Sequence, residues 1–149
     1  MTAESLAPGT SMREFGVAET SKLVHSAAKH IERAVADPNE EAVHKMRVSI
    51  RRLQQALRLF EQFLRTKGVK SVRRQLKHIM EPAGELRNCD IALTLAGTRG
   101  AIKAVLRYRR QVARTVLDRA IAEVGGDGSV EERWRRKLGL REDRQEDQA

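Results

Sequence analysis

The chain has 149 residues, which is enough for one domain with a modest hydrophobic core. Hydrophobic residues make up 40% of it and aromatic residues only 3%, which favours packed helices of Leu, Val, Ile and Ala over a β-sandwich. The 29 Lys and Arg outnumber the 20 Asp and Glu, and the formal net charge of +9 favours an anionic partner.

The sequence carries no pattern for export or membrane insertion. No stretch approaches the roughly 20 apolar residues of a membrane span, and residues 1–10 lack the basic-then-apolar order of a signal peptide. Cys89 is the single cysteine, so no internal disulfide can form, and we expect a small buried residue there. These features predict a cytoplasmic protein without membrane contact, with residues 1–10 as a disordered leader.

The first helix is predicted from Ser11 to Ala36. Its apolar stripe comprises Val17, Val24, Ala27, Ala28, Ile31 and Val35. A neighbouring basic stripe comprises Lys22, His25, Lys29 and Arg33 at helical spacing. Pro38 ends this helix because the residue before a proline resists the α conformation, and Asn39 can cap the next helix.

The second helix, predicted from Glu40 to Arg65, has two distinct sides. At roughly 100° per residue, its apolar stripe comprises Val43, Met46, Ile50, Leu53, Leu57, Phe60 and Leu64. A cationic stripe about 130° away comprises His44, Arg47, Arg51 and Arg58. Between residues 44 and 80, eleven Lys and Arg accompany a single acid, Glu61. We expect Gly68 to stop this helix, as a residue that tolerates left-handed geometry.

A third helix is predicted from Val69. Its inward residues are Val72, Leu76, Ile79, Met80 and Ala83, and its outward cations are Lys70, Arg73, Arg74 and Lys77. Pro82 and Gly84 are expected to kink or break it, so that a shorter helix resumes from Leu86 to Leu95.

The last long helix, predicted from Ala101 to Val124, repeats this design. Its buried stripe is predicted to comprise Ile102, Leu106, Ala113, Leu117, Ala120 and Val124. Beside that stripe lie Lys103, Arg107, Arg110 and Arg114. After a glycine-rich stop, a short amphipathic helix is predicted from Ser129 to Leu138 with Trp134 as its anchor, followed by a charged tail, residues 141–149, predicted to be disordered.

These elements predict an all-α fold, an antiparallel helical bundle of four main helices over residues 11–125. Residues 126–149 then hold the short helix and the tail. A basic stripe on one helix is usually a solvated face, but here four stripes fall on the same side of their core stripes. Short connections make consecutive helices antiparallel neighbours. We therefore expect the stripes to converge on one basic groove, where a bound anion would offset the repulsion.

Two motifs resemble the conserved-histidine α-helical domain, or CHAD, family. The first is His44-x-x-Arg47-Val48-x-x-Arg51-Arg52-Leu53-x-x-x-Leu57-Arg58-x-Phe60, which is similar to the family's leading motif nearly position for position. The second is Leu76-Lys77 followed by Gly84-Glu85-Leu86-Arg87-Asn88-Cys89-Asp90-Ile91. The resemblance covers about residues 21–114.

The resemblance implies a helical bundle that binds inorganic polyphosphate through a basic groove and associates with polyphosphate granules. It implies phosphate contacts at His44, Arg47, Arg51, Arg52, Arg58 and Lys77. Arg87 would sit at the kink, and Asp90 would orient a nearby cation. The other candidates come from the basic stripes and are Lys22, His25, Lys29, Arg73, Lys103, Arg107, Arg110 and Arg114.

Two departures from the family pattern matter. Asn88 stands where the family has the first Asp of its turn, so an ion pair there becomes at most a neutral hydrogen bond. Family members usually carry two bundles in tandem, whereas this chain holds one copy of the motifs. Either one half suffices or two chains pair, and we favour a homodimer that rebuilds the double bundle by two-fold symmetry.

Arginine and lysine suit polyphosphate because a flexible polyanion presents oxygens on every side to their forked and compact donors. If His44 binds as a cation, affinity should rise as pH falls from about 8 to 6; otherwise its role is structural. Non-specific nucleic-acid binding at low salt is the alternative, although most of the aromatic residues that stacking requires occupy core-like positions.

An enzyme is the third class of function, and the sequence argues against it. There is no carboxylate cluster for Mg²⁺, no phosphate-binding loop and no metal-ligand spacing around the histidines. A phospho-acceptor role for His44 is the one catalytic alternative. We therefore expect no catalytic residue, no cofactor and no metal site.

Overall fold

The computed structural model describes residues 11–126 and 128–140, so both predicted disordered ends, residues 1–10 and 141–149, lie outside the described residues. Five α-helices follow one another along the chain: α1 Met12–Ala36, α2 Glu40–Leu59, α3 Thr66–Ala96, α4 Gly100–Gly125 and α5 Val130–Leu138. A short 3-10 turn, Glu61–Phe63, joins α2 to α3. The described part of the chain contains no strand, which confirms the all-α fold class.

Side-chain caps set the starts of α1 and α2. The Ser11 hydroxyl accepts a hydrogen bond from the backbone N–H of Glu14 at 3.1 Å. The side-chain oxygen of Asn39 accepts one from the N–H of Ala42 at 2.8 Å. Each cap satisfies a donor that the helix leaves unpaired and contributes about 1 kcal/mol. The expected Asn39 cap is confirmed.

The junction between α2 and α3 differs from the expectation. The helix α2 ends at Leu59 rather than at Arg65, because the 3-10 turn redirects the chain there. Gly68 lies in the first turn of α3, where a Cβ atom would sit 1.7 Å from the carbonyl oxygen of Lys137. This glycine therefore permits close packing of α3 on the end of α5 and does not stop a helix.

The helix α3 runs through Pro82, so the expected break is wrong. A proline in a helix interior lacks the N–H that would bond to the carbonyl four residues earlier, here that of His78, and costs about 3 kcal/mol. Pro82 is buried, and α3 packs against α2, α4 and α5. These tertiary contacts hold the helix continuous across the proline.

All five helices contribute to one hydrophobic core, and every residue of the apolar stripe predicted for the second helix is buried, including Phe60 and Leu64 beyond the end of α2. Trp134 of α5 is 0% exposed, and its indole Nε1 donates to the side-chain oxygen of Gln75 at 2.7 Å. Beside it, the buried guanidinium of Arg135 donates to Ser21 of α1 and to Glu131. The anchoring role predicted for Trp134 is confirmed, and α5 is tied to both α1 and α3.

Cys89 is a free, buried residue, as expected. Burial raises the pKa of its thiol, and the nearby carboxylates of Glu85 and Asp90 raise it further. Because the thiolate is the reactive form, this environment makes Cys89 a poor nucleophile.

The end of α3 and the start of α4 form an antiparallel pair that we call the arm, residues 91–112. No residue of the arm is fully buried, whereas Leu117 further along α4 is 1% exposed. Ile102, expected in the core, is 45% exposed, and Tyr108 departs from the core-like pattern of the other aromatic residues. The reason is that α4 packs chiefly on α3 and makes no extensive contact with α1 or α2. Val35, in the last turn of α1, is also exposed against expectation.

Candidate anion-binding site

Arg47, on the cationic side of α2, has a buried donor without an acceptor. Its Nε atom is buried and makes no hydrogen bond within the described part of the chain. Burying a donor without a partner costs about 1–3 kcal/mol, and more for a charged group. An oxyanion bound against this edge of the guanidinium would satisfy the donor, since arginine and phosphate oxygens form strong charge-assisted hydrogen bonds.

Two further arginines approach Arg47. Burial lowers the pKa of Arg47 below its ordinary value, and the positive charges of Arg51 and Arg87 lower it further. Arginine stays protonated in proteins, so the lowered pKa marks a guanidinium that is held charged in spite of its burial and of the repulsion from two neighbouring cations. We call Arg47, Arg51 and Arg87 the arginine cluster. One carboxylate offsets part of the charge, since Glu40 accepts a hydrogen bond from Arg87 Nη1 at 2.9 Å.

The pair between Glu40 and Arg87 also shows the relative direction of two helices. Glu40 begins α2 and Arg87 lies near the end of α3, so the two helices run antiparallel where they pack. Cations recur at helical spacing on the side of each helix that carries the cluster. These residues are His44, Arg47, Arg51 and Arg58 on α2, and Lys70, Arg73, Lys77 and Arg87 on α3. We call this set the α2–α3 face.

Gly84 shares the α2–α3 face, between Lys77 and Arg87. A Cβ atom added to it would meet nothing within 4 Å. Glycine in a helix interior costs about 0.5–1 kcal/mol relative to alanine, so packing alone gives no reason for it here. It leaves the backbone of α3 open beside the arginine cluster, where a ligand can approach closely.

Lys77 also lines a cavity of about 520 Å³ at the side of α3. The lining carries both signs of charge, with the cations Arg74 and Lys77 and the carboxylates Glu81 and Glu123. His78 Nε2 lies 2.9 Å from a carboxylate oxygen of Glu123, which joins α3 to α4. This mixed charge makes the cavity a weaker anion site than the arginine cluster.

The candidate residues of α1 lie beside α5. His25 Nδ1 lies 3.0 Å from a carboxylate oxygen of Glu131, and Lys22 lies 3.6 Å from Glu19. Lys29 and His25 line a cavity of about 370 Å³ between α1, α4 and α5. Burial raises the pKa of Glu131, but hydrogen bonds with His25 and Arg135 outweigh it and lower the pKa overall. Lys22 and His25 thus have carboxylate partners already.

On α4, Arg110 makes contacts within the fold. Its Nε donates to Asp90 at 2.7 Å, and its Nη2 donates to the carbonyl oxygen of Pro38 at 2.7 Å. Asp90 is buried and so has the position from which it can orient this cation. These bonds connect the base of the arm to the loop between α1 and α2. Arg110 therefore has a structural role, and these two of its donors are already engaged within the fold.

Exposure separates the fifteen candidates into two groups. Lys22, His25, Lys29, His44, Arg51, Arg52, Arg58, Lys77 and Arg107 are exposed, whereas Arg47, Arg73, Arg87, Lys103, Arg110 and Arg114 are half-buried. The structure brings Arg47, Arg51 and Arg87 together across α2 and α3. It places His25 and Lys29 at a different cavity, between α1, α4 and α5.

Sequence reasoning missed two residues next to these cations. Glu40 is typical of a helix start, and the sequence gives no sign that it pairs with Arg87, 47 residues away. His30 of α1 was also missed. Burial lowers its pKa, as do the charges of Arg33, Lys45 and Lys29, and Lys45 belongs to α2. Both contacts depend on helix pairing, which residue spacing within one helix does not reveal.

Two further properties hold for the described residues. They contain no group of three or more His, Cys, Asp or Glu side chains that could hold a metal ion. In the same residues, no helix is both long enough and apolar enough to cross a bilayer.

The fold and the site define a class: a basic all-α protein with an arginine cluster between two antiparallel helices. The chain belongs to the CHAD domain family, whose model matches residues 20–149. The match includes both motifs and extends through α5. Comparison with curated proteins and with solved structures gave no match.

Proposed function

We propose that this protein binds inorganic polyphosphate on the α2–α3 face. The observation that carries the proposal is the buried Nε of Arg47, which lacks an acceptor and is flanked by Arg51 and Arg87. Membership of the CHAD domain family supports the ligand class, because that family is associated with polyphosphate binding. The cluster concentrates positive charge where a chain of phosphates would relieve it.

The dimensions of the face suit a linear polyanion better than a single phosphate. The helix α2 has 20 residues and α3 has 31, which correspond to about 30 Å and 46 Å. Cations recur along both helices, so several phosphates can be contacted at once. We expect His44, Arg58, Arg73 and Lys77 to extend the binding from the arginine cluster along the face, and Arg52 to contribute from beside it.

The same proposal includes the compartment, the absence of catalysis and the oligomeric state. The protein acts in the cytoplasm as a granule-associated or accessory protein, it carries no catalytic activity, and it works as a homodimer. Incubation with polyphosphate and Mg²⁺ should accordingly release no phosphate. Release that disappears in His44→Ala would instead assign a phospho-acceptor role to this histidine.

A binding titration tests the proposal. The full chain would be titrated with polyphosphates of several lengths at several salt concentrations, followed by fluorescence anisotropy. Arg47→Ala and Arg51→Ala should weaken binding about tenfold or more, because each removes a charge-assisted contact. The matched control is Arg119→Ala, which removes an exposed arginine of α4 and should change the affinity less than about twofold.

Two outcomes would contradict the proposal: no binding at physiological salt, or equal losses in Arg47→Ala and Arg119→Ala. Arg47→Lys separates charge from geometry, since lysine keeps the charge but has no Nε and no fork. Thermal unfolding of each variant establishes that the comparison concerns folded protein.

Nucleic acid is the second candidate, and exposed Tyr108 next to Arg107 and Arg109 favours it, because such a group can stack on a base. The arginine cluster, however, lies on α2 and α3, and the aromatic residue of its first motif, Phe60, is buried. Competition at equal phosphate concentration and physiological salt distinguishes the two ligands. Displacement of polyphosphate by duplex DNA would reverse the ranking.

A further inference from the structure

A carboxylate of the chain itself stands at the arginine cluster. Glu40, in the first turn of α2, accepts a hydrogen bond from Arg87 Nη1 at 2.9 Å. Carboxylate and phosphate oxygens bind a guanidinium in the same way, through charge-assisted hydrogen bonds. A phosphate that approaches the cluster therefore finds this donor of Arg87 already taken, and the negative charge of Glu40 repels it.

The two partners of this pair differ in how freely they can move. The side chain of Arg87 is 26% exposed, whereas that of Glu40 is 59% exposed. An exposed carboxylate can turn into solvent and be hydrated there, and a surface ion pair of this kind contributes little to stability. Glu40 is thus the partner that an incoming phosphate can displace, while Arg87 keeps its place beside Arg47.

The rest of the cluster stays open to a ligand. The buried Nε of Arg47 has no acceptor within the described part of the chain, so Glu40 does not serve this donor. A long phosphate chain can bind Arg47, Arg51 and the cations further along α2 and α3 while Glu40 keeps Arg87. A short anion has only the cluster, so it loses affinity unless it displaces Glu40. The carboxylate therefore penalises short anions more than long chains.

The next residue, Glu41, provides a comparison within the same helical turn. It also lies at the start of α2, where the helix dipole favours a carboxylate. Its partner is Lys45, with Nζ 2.9 Å from a carboxylate oxygen of Glu41 on the same helix. Lys45 lies towards α1, since its charge lowers the pKa of His30, and it does not belong to the arginine cluster. The two glutamates thus share a position in the helix and differ in the cation that they engage.

We propose that Glu40 makes the α2–α3 face selective for long polyphosphate over short phosphate anions, by holding Arg87 until a phosphate displaces it. This inference rests on the anion site of the proposed function and assigns the selectivity of that site to one residue. As a selectivity residue, Glu40 lowers the affinity for short anions, whereas a residue that positions Arg87 for binding would raise it. Removing the charge of Glu40 therefore distinguishes the two roles by the sign of the change.

Titration of the full chain with pyrophosphate and with long-chain polyphosphate, followed by calorimetry at one salt concentration, tests the proposal. Glu40→Gln keeps the shape of the side chain and removes its charge. It should lower the dissociation constant of pyrophosphate about fivefold or more and that of the long chain less than about twofold, because the long chain has other contacts. Glu41→Gln is the matched control and should change both constants less than about twofold.

The dependence on Arg87 is tested by a double-mutant cycle. If Glu40 acts by occupying Arg87, then Glu40→Gln should give no gain in pyrophosphate affinity when Arg87→Ala is already present. A gain that persists in the Arg87→Ala background would mean that the charge of Glu40 acts on the whole face, and would overturn the proposal. Thermal unfolding of each variant establishes that folded proteins are compared.

Two other results would overturn the role of Glu40. They are a loss of pyrophosphate affinity in Glu40→Gln, which would make Glu40 a positioning residue for Arg87, and equal changes in Glu40→Gln and Glu41→Gln. The outcome for the proposed ligand is separate. A wild type that does not bind long polyphosphate, with a Glu40→Gln variant that gains pyrophosphate binding, contradicts that ligand and leaves the role of Glu40 intact. Three proteins that bind neither anion would contradict both proposals.

Discussion

We call the described residues outside the arm the body of the molecule. The body and the arm are both built from amphipathic helices, but they differ in how much apolar surface they bury. In the body, the apolar stripe of α2 is fully covered, and Trp134 and Arg135 fasten α5 over α1 and α3. In the arm, residues 91–112, no side chain is fully buried, and Ile102, Val105 and Val112 are exposed together with Tyr108. The difference teaches that the body buries its apolar surface within one chain, whereas the arm leaves part of its apolar surface exposed.

The largest expected effect lies where the body is packed most tightly. Gly68→Ala would place a Cβ atom 1.7 Å from the carbonyl oxygen of Lys137, which is backbone and cannot rotate away. We expect a loss of about 3–5 kcal/mol in the free energy of unfolding, because α3 and α5 must move apart. Denaturant unfolding measures this free energy. A loss below about 1 kcal/mol would show that α5 can shift away from α3 at little cost.

A pair of substitutions on α4 compares body and arm directly. Leu117 is 1% exposed and Val105 is 58% exposed. Leu117→Ala should cost about 2–5 kcal/mol of unfolding free energy because it opens a cavity in the core. Val105→Ala should cost less than about 0.5 kcal/mol in the monomer, as surface changes usually do. Unfolding at a concentration that keeps the chain monomeric makes the comparison, and equal costs would remove the distinction between the two regions.

The surface of the body can be tested at Gly84. Gly84→Ala should raise the free energy of unfolding by about 0.5–1 kcal/mol, because alanine favours the helix and its Cβ meets nothing within 4 Å. The same change should weaken polyphosphate binding, since it fills space beside the arginine cluster. An increase in the free energy of unfolding together with a loss of affinity would indicate that Gly84 faces the ligand. Unchanged affinity would mean that phosphates do not approach α3 there.

The smallest effect concerns His30, where α1 meets α2. Its pKa in the folded chain is below the ordinary value of 6.5, through burial and the charges of Arg33, Lys45 and Lys29. The unfolded chain therefore takes up the proton more readily, so the contribution to stability is present above about pH 6.5 and is lost as pH falls below it. His30→Gln should flatten this part of the curve of melting temperature against pH. Parallel curves for the two proteins would contradict the assignment.

Much of the body could be predicted from sequence, because its signals are local. Asn39 caps α2 with a contact three residues away, and the stripe of α2 follows from helical period alone. Trp134 could be identified as an anchor because a large apolar side chain interrupts a charged segment.

The failures share a physical cause, which is contact between distant segments. Gly68 faces the carbonyl group of Lys137, 69 positions later in the chain. When only its sequence neighbours are considered, this glycine looks like the end of a helix. Pro82 is tolerated because three helices support α3. Ile102 fits a buried stripe by period, but period cannot show that α1 and α2 make no extensive contact with α4.

In the candidate site too, local signals could be predicted from sequence and contacts between helices could not. The motif around Arg47 and Arg51 is visible along α2, and its resemblance to the CHAD family is supported by the family match. That Arg87 joins these two residues, and that His25 instead meets Glu131 on α5, emerges only from the packing of helices.

The sole tryptophan of the chain, Trp134, gives the protein an internal optical reporter. Its ring is 0% exposed and its Nε1 is held by Gln75 of α3, so its emission depends on whether α5 is docked. Detachment of α5 would hydrate the indole and shift its fluorescence to longer wavelength, while the rest of the chain contributes no tryptophan signal. Motion of this nine-residue helix can therefore be followed in the unmodified protein, without an added label.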